Sequence, residues 1–380
     1  MLETSLGFSR EEAIRRVLGR VTPWVEIETP SGNEANILEL SERIEAEARE
    51  LGARVEVFPA PGFGRNLRLN FEGREPQLEP VLAMGHIDTV HPIGTLARQP
   101  CATDGDRCGG PGIYDMKSGV ALVLEAIAVL RQKGSAPRRR LRVLVTCDEE
   151  IGSHSAKPLF RDSAAGAFAA LVPEPCIGDG SVKTRRKGVG TYRMDVTGRA
   201  AHAGIEPEKA VSAIADLADR IREALGFADH ARGSTVNVGL IGGGTASNVV
   251  AAHAWATIDT RFVEPDEGTR MDRAIRAMTA SRPGAGLTID RGELRPPLVR
   301  TPGVVALYEH ARKLAGELGV KLGEGMSGGG SDGSLVAAMD LPTLDGLGPN
   351  GGGAHSADEH ILLSDLLFRL ALFTRLLDTL

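Results

Sequence analysis

Short apolar segments that each lead to a histidine or a carboxylate constrain this chain more than any other feature. Each segment has the length of a buried β-strand, and a helical pattern, Ser118 to Gln132, lies between the first and the second. Strands that alternate with helices predict an α/β domain with a mainly parallel sheet and helices on both faces. The segments are Val81 to Met84, followed by His86; Leu141 to Cys147, followed by Glu149 and Glu150; and Ala170 to Val172, followed by Glu174.

The pattern changes after residue 181, where apolar and polar residues begin to alternate. Gly190 to Thr197 alternates in the way that is typical of a half-buried antiparallel strand. Helical patterns follow at Lys209 to Leu225 and at Glu267 to Ala280. Because 380 residues are too many for one compact core, we expect two domains. Residues 1–181 and 297–380 would form the first, and an α+β domain would be inserted at 182–296.

Charge and cysteine content exclude several classes of function. The net charge is -6 at pH 7, which gives no basis for binding nucleic acid or an anionic membrane surface. The 4 cysteines form no C-x-x-C pair, so neither a zinc ribbon nor a disulfide framework is expected. No apolar run approaches the ~20 residues that span a bilayer, and the N-terminal segment lacks the apolar stretch of a signal peptide. We therefore predict a cytoplasmic location.

Polar side chains gather where the predicted strands end. Ligands in open α/β sheets lie beyond the carboxyl ends of the strands, which is where His86, Glu150 and Glu174 are expected. A glycine-rich loop places Asp115 just before the predicted helix, and His355 follows a run of glycines. Each residue alone has an ordinary explanation, such as a turn histidine or a helix N-cap. Together, two histidines and several carboxylates suit zinc, cobalt or manganese rather than a thiolate-bound structural zinc.

The order of these segments resembles the M20 family of dizinc metallopeptidases over essentially the whole chain. The matching segments are G-H-I-D-T-V from residue 85, G-I-Y-D-M-K-S-G from 112, D-E-E-I-G-S from 148, P-E-P from 173 and H-S-A-D-E from 355. The family includes glutamate carboxypeptidases, acetylornithine deacetylase and succinyl-diaminopimelate desuccinylase. Two further segments, G-R-A-A-H-A-G from 198 and S-G-G-G-S-D-G from 327, fit the glutamate carboxypeptidases best.

The resemblance implies two divalent metal ions per chain, which would be zinc, with cobalt or manganese as alternatives. Asp115 would bridge both ions, and the peptide bond after it would be cis. The other ligands would be His86 and Glu174 on one ion, and Glu150 and His355 on the other.

The resemblance also implies three residues that act in the reaction without binding metal. Asp88 would orient the imidazole of His86, and Glu149 would be the general base. His202 would reach the site of a neighbouring subunit. This implies a homodimer through the inserted domain, which would serve as a lid and dimerisation domain.

Recognition of a substrate carboxylate would fall to the inserted domain and the S-G-G-G-S-D-G loop. Asn248 and Arg261 match positions that contact substrate in the family, and a planar guanidinium suits a carboxylate because it donates two parallel hydrogen bonds. Arg295 is a weaker match, because the spacing before it differs. The loop that contains Gly329 would offer backbone N–H groups to the same carboxylate.

These inferences predict a hydrolase that cleaves an amide bond adjacent to a free carboxylate, as glutamate carboxypeptidases do. The substrate would be a small peptide or an N-acyl amino acid. An N-acyl amino acid deacylase with the same catalytic residues is the alternative that the sequence leaves open. A non-catalytic binding module of the same fold is disfavoured, because such a module would not need Glu149.

Overall fold

The computed structural model describes all residues, 1–380, and the chain divides into two compact units. The first unit contains Met1–Arg185, Arg300–Ser327 and Ser331–Leu380. The second contains Arg186–Val299 together with Gly328–Gly330. The sequence pattern placed this short glycine segment with the first domain, whereas in the structure it groups with the second unit.

Helices and strands alternate through most of the first unit. In chain order, its elements are α1 (Leu2–Leu6), α2 (Arg10–Val25), α3 (Glu34–Glu50), β1 (Arg54–Ala60), β2 (Gly64–Phe71), β3 (Val81–His86), β4 (Ala102–Asp104), β5 (Arg107–Gly109), α4 (Ser118–Gln132), β6 (Leu141–Thr146), α5 (Lys157–Ala164), β7 (Ala169–Val172) and β8 (Val182–Arg186). The second unit adds β9 (Gly188–Thr197), α6 (Ala213–Leu225), β10 (Thr235–Gly243), β11 (His253–Phe262), α7 (Pro265–Arg276) and β12 (Gly286–Arg295). The chain then returns with α8 (Pro302–Glu317), β13 (Glu324–Ser327), α9 (Gly333–Ala337), β14 (Thr343–Asp345), β15 (Gly351–Gly352), β16 (His360–Leu362) and α10 (Leu363–Thr379).

An eight-stranded sheet in the order β1-β2-β6-β3-β7-β14-β8-β13 forms the centre of the first unit. The four strands β6, β3, β7 and β14 run parallel, while β1, β2 and β8 join by antiparallel pairing. Every residue of β3 is buried, as expected for a strand that is covered on both faces. The predicted α/β class is confirmed, and the parallel pairing is concentrated in the centre of the sheet.

Alternating side chains of the central strands feed two separate cores. Ala83 and Val143 belong to the larger core, with residues of α2, α4 and α10. Leu82 and Leu144 belong to a smaller core that includes Phe160 of α5. Because successive side chains of a strand point to opposite faces, the sheet is covered on both sides. Its strand ends are therefore the parts that remain available to a functional site.

Four short strands form a second sheet in the first unit, in the order β15-β16-β5-β4. In this sheet Gly109 pairs with His360 and Cys108 pairs with Ile361. The chain that leads to Asp115 therefore runs beside the chain that follows His355.

The second unit is a four-stranded antiparallel sheet in the order β10-β11-β9-β12. The predicted alternation in β9 is confirmed, because Tyr192, Met194 and Val196 are buried in one core with residues of α6 and α7. Apolar alternation with helices on one face is the expected arrangement for an antiparallel sheet of this size.

Both predicted helices of the second unit exist, but their bounds differ from the prediction. The first begins at Ala213 rather than Lys209, because Ser212 caps it by accepting a hydrogen bond from the backbone N–H of Ala215. Lys209 lies instead in a separate short turn. The second helix spans Pro265–Arg276, with the proline in its first turn. No helix of the chain has the length and apolar character needed to cross a membrane.

Candidate metal centre

The parallel strands bring three ligand-type side chains to one end of the sheet. His86 is the last residue of β3, Glu150 lies in the short turn after β6, and Glu174 follows β7. Since β6, β3 and β7 run parallel, their carboxyl ends share one edge, as the sequence predicted. The Nε2 of His86 lies 3.8 Å from Oε1 of Glu174.

Asp115 lies between the two histidines. One carboxylate oxygen is 3.2 Å from Nε2 of His86, and the other is 3.4 Å from Nε2 of His355. His355 is in turn 3.3 Å from Oε2 of Glu150. The structure therefore brings all five predicted ligand residues together: His86, Asp115, Glu150, Glu174 and His355. The peptide bond between Asp115 and Met116 is cis, which confirms the expectation drawn from the resemblance.

Close backbone contacts hold Glu174 in place. A Cβ atom on Gly119, in the first turn of α4, would lie 1.9 Å from the carbonyl oxygen of Pro173. A Cβ atom on Gly348 would lie 2.3 Å from the same oxygen, and the N–H of Gly348 donates to the carbonyl of Glu174 at 2.9 Å. These positions accept only glycine. The P-E-P segment is therefore packed closely between the first turn of α4 and the loop that contains Gly348.

The donor set and its burial fit a divalent cation. Ligand atoms of His86, Asp115 and Glu150 lie within 4.8 Å of one another. The Oε1 atom of Glu150 is buried and has no hydrogen-bond partner. A buried carboxylate oxygen without a partner is costly, and a cation at this position would satisfy it. Imidazole and carboxylate donors without thiolates are the set expected for a catalytic rather than a structural zinc ion.

The four charged groups shift one another's pKa values. Burial alone lowers the pKa of His86, but hydrogen bonds to Asp115 and Asp88 raise it well above its ordinary value. Hydrogen bonds to Asp115 and Glu150 raise the pKa of His355 to about 10. Burial opposes ionisation of Asp115, yet the two histidines outweigh it and lower its pKa. Burial raises the pKa of Glu150. The raised pKa values of the two histidines thus reflect the strong preference of this carboxylate-rich cluster for positive charge.

Asp88 contacts more than the histidine that it was expected to orient. The Nδ1 of His86 lies 3.0 Å from the carbonyl oxygen of Asp88 and 3.4 Å from its Oδ1. The same carboxylate accepts backbone N–H groups from Glu149 at 3.0 Å and Glu150 at 3.2 Å, and the hydroxyl of Ser31 at 2.6 Å. Asp88 is fully buried. It thus fixes the histidine and the two neighbouring glutamates from one position.

Two buried charges near the site were not singled out from the sequence. Glu359 is 1% exposed and accepts hydrogen bonds from the loop that carries Asp115. Lys117 is fully buried, and its Nζ donates to the carbonyls of Trp24 and Ile27. Burial lowers the pKa of Lys117 to about 7. Both residues lie within segments that carry the family resemblance. Their position in those segments was the signal from which the sequence could have identified them.

The remaining predicted site residues lie in the second unit, where they form two groups. In the first group, His202 and Val249 are bridge partners, and the N–H of Ala203 donates to the carbonyl of Asn248 at 2.9 Å. His202 and Asn248 are therefore on neighbouring segments of chain. The Nδ1 of His202 accepts a hydrogen bond from the N–H of Gly204.

The second group consists of two arginines and the glycine segment. Arg261 donates two hydrogen bonds to the carboxylate of Asp259, and its Nη1 donates to the carbonyl of Gly328 at 3.3 Å. Arg295 is 5% exposed, donates to Glu293 and lies against Gly330. The carbonyl of Gly329, at the centre of this segment, accepts a hydrogen bond from Arg186 at 3.3 Å. The two predicted arginines and Gly329 thus occur together, although Arg261 already holds a carboxylate of its own chain.

Several known proteins are similar to this chain over most of its length. The profile of peptidase family M20/M25/M40 matches residues 82–379. Carboxypeptidase G2 of Pseudomonas sp. (strain RS-16) is 30% identical over 368 residues, which cover 95% of this chain and 88% of that protein. Succinyl-diaminopimelate desuccinylase of Delftia acidovorans is 26% identical, with 82% and 84% covered. Aminopeptidase PepT of Bacillus cereus has the same fold, with a TM-score of 0.79 at 24% identity over 96% of this chain and 98% of that one.

Proposed function

The chain belongs to peptidase family M20/M25/M40, and from that premise we propose that it hydrolyses an amide bond next to a free carboxylate of its substrate. Membership makes it an M20-type hydrolase. The observation that carries the metal-dependent part of this proposal is the position of Asp115, which offers one oxygen to His86 and the other to His355. A carboxylate shared in this way suits a pair of metal ions.

Five side chains would hold two zinc ions. Asp115 would contribute to both, with His86 and Glu174 completing one set and His355 and Glu150 the other. When bound, the ions would supply Lewis acidity to the scissile carbonyl and to an attacking water. The unpartnered Oε1 of Glu150 supports this assignment, because a bound cation removes the cost of burying that atom.

Glu149 would act as the general base. It is adjacent to a proposed ligand, it is only partly buried, and its backbone N–H is fixed by Asp88 at 3.0 Å. Glu149 would accept a proton from the attacking water and deliver it to the leaving amine, a role that contributes roughly 10²–10⁴-fold to a rate. Asp88 would position this base together with the imidazole of His86.

The second unit would recognise the substrate carboxylate. Arg261 already donates two parallel hydrogen bonds to the carboxylate of Asp259, which is the geometry that a substrate carboxylate would require. We propose that substrate takes over part of this pairing, with Arg295 and the segment at Gly329 beside it.

His202 would stabilise the oxygen that gains negative charge during the reaction, and Asn248, on the neighbouring segment, would contact the substrate carboxylate. Their neighbouring backbone segments are tied by the bridge between His202 and Val249, so they would move as one unit. We propose that His202 serves the site of a second copy of the chain in a homodimer. A strictly monomeric protein in solution with full activity would contradict this part of the proposal.

A panel of substrates tests the carboxylate requirement and separates the two activities. Peptidyl and N-acyl amino acids would be compared with the same compounds amidated at the C-terminus, at matched concentrations. Loss of a charge-assisted pair costs roughly 1.5–3 kcal/mol, so kcat/KM should fall by about 10- to 100-fold for the amides. Equal cleavage of acids and amides would contradict the proposal. Preference for peptidyl over acetyl or succinyl compounds would identify a carboxypeptidase rather than a deacylase, the activity named for the relative from Delftia.

A further inference from the structure

A single buried carboxylate outside the ligand set joins the segments that carry the site. Glu359 is 1% exposed. Its Oε1 accepts the backbone N–H groups of Tyr114 at 2.9 Å and Asp115 at 3.0 Å. Its Oε2 accepts the N–H of Gly112 at 3.1 Å and contacts Nε2 of His91. Four polar contacts from two other segments therefore converge on one side chain.

The position of Glu359 in the chain determines which segments its contacts connect. It lies four residues after His355 and directly before β16, and its carbonyl accepts the N–H of Gly110 at 3.2 Å. His91, its other partner, lies three residues after Asp88. Displacement of Glu359 would therefore disturb the Asp115 loop and the chain segments that follow both histidines.

The contacts require a side chain whose two terminal atoms both accept hydrogen bonds. Three of the four partners are backbone N–H groups, which only donate. A carboxylate offers two oxygens that only accept, whereas an amide of the same shape offers one acceptor and one donor. A glutamine at this position would direct an N–H group either at Gly112 or at Tyr114 and Asp115. Because the site is buried, water cannot relieve that conflict.

We propose that Glu359 is a positioning residue for the metal centre, which holds the backbone from Gly112 to Asp115 so that the two oxygens of Asp115 face opposite histidines. It also ties this loop to the segment of His355. The inference rests on the proposed metal-dependent function. It assigns to Glu359 an effect on metal binding itself, beyond any effect on folding.

The test compares Glu359→Gln with a matched control, Glu125→Gln. Glu125 is 3% exposed in α4 and accepts hydrogen bonds from Arg16 and Arg20, so it is also a buried carboxylate that holds other groups. Metal-free protein would be titrated with Zn²⁺ in a chelator buffer, and with Co²⁺ to follow the visible absorption of the bound ion. Thermal unfolding of the metal-free proteins would measure the loss of stability in each variant.

Glu359→Gln should bind Zn²⁺ about 10- to 100-fold more weakly, the usual effect of removing a group that orients a ligand. Its Co²⁺ spectrum should change, and kcat should fall while KM changes little. Glu125→Gln should lose stability but keep the affinity and the spectrum. Wild-type affinity in Glu359→Gln, or an equal loss in Glu125→Gln, would overturn the inference. Absence of metal binding by the wild-type protein would instead contradict the proposed function.

Two variants of His91 keep the inference testable if Glu359→Gln does not fold. His91→Gln retains an N–H donor toward Glu359 and should keep the metal affinity near that of the wild type. His91→Leu removes the donor and should weaken Zn²⁺ binding several-fold. Equal affinity in the two His91 variants would show that the contact with Glu359 does not act on the metal centre.

Discussion

The two histidines of the site are held very differently. His86 ends a buried strand, and 2% of its side chain is exposed, whereas 51% of the side chain of His355 is exposed. The ring of His86 is fixed by Asp88. His355 lies in a turn with a φ of 64°, a conformation that non-glycine residues seldom adopt. The fold thus holds His86 in place, whereas it leaves His355 at the surface. We call the half of the site with His86 and Glu174 the prepared half, and the half with His355 and Glu150 the exposed half.

This difference predicts unequal metal affinities. A site whose ligands are already held in place loses less conformational freedom on binding than one whose ligand must be ordered. The ion beside His86 and Glu174 should therefore bind more tightly than the ion beside His355 and Glu150.

The largest effect is expected from a substitution that leaves both halves intact. Glu149→Ala removes the proposed base but no proposed ligand, so turnover should fall about 10²–10⁴-fold while metal content stays unchanged. Steady-state rates and elemental analysis of the same preparation would measure both. Loss of metal together with activity would show that Glu149 is a metal ligand in one of the two halves.

Replacement of each histidine by alanine should affect stability and metal content unequally. His86→Ala leaves a cavity beside buried Asp88 and should lower the free energy of unfolding by about 2–4 kcal/mol. His355→Ala, at a half-exposed position, should change stability by less than about 1 kcal/mol and release one ion only. Chelator titration with denaturant unfolding would show both results. Loss of both ions in His355→Ala would contradict the unequal halves.

The smallest expected effect is a pH dependence that belongs to the His355 half. Its pKa is raised from 6.5 to about 10 in the metal-free site, so the folded state binds the proton more tightly than the unfolded state. The stabilisation is complete below about pH 6.5 and is lost as the pH rises towards 10. Metal-free wild type should therefore exceed metal-free His355→Gln in stability at pH 6 and match it near pH 10. Urea unfolding of both proteins at the two pH values would measure the difference.

Local patterns predicted the site residues at strand ends better than those that lie far from a strand end in the sequence. The apolar run that ends at His86 and the acidic turn at Glu149 and Glu150 follow directly from strand periodicity and the strand-end rule. The contact of His91 with Glu359 joins residues 268 positions apart, and no periodicity reports a contact of that kind. His355 was a candidate because it follows a run of glycines, but only the resemblance to a family assigned it to an ion together with Glu150.

In the second unit, too, the sequence predicted a residue but not its contacts. The sequence predicted Arg261 as a carboxylate ligand from its residue type and position, but not that Asp259 already engages it. Such a pairing depends on which side chains share a strand face. It also depends on the conformation that each long side chain adopts, which the sequence pattern does not specify.

The buried carboxylate of Asp88 has a consequence for the turn that carries Glu149 and Glu150. Its carboxylate accepts hydrogen bonds from the successive N–H groups of Glu149 and Glu150. One side chain therefore holds the backbone of both the proposed base and the proposed ligand. A substitution that shifts Asp88 would therefore shift the backbone of both residues. A single change at Asp88 would thus test the assignments of Glu149 and Glu150 at the same time.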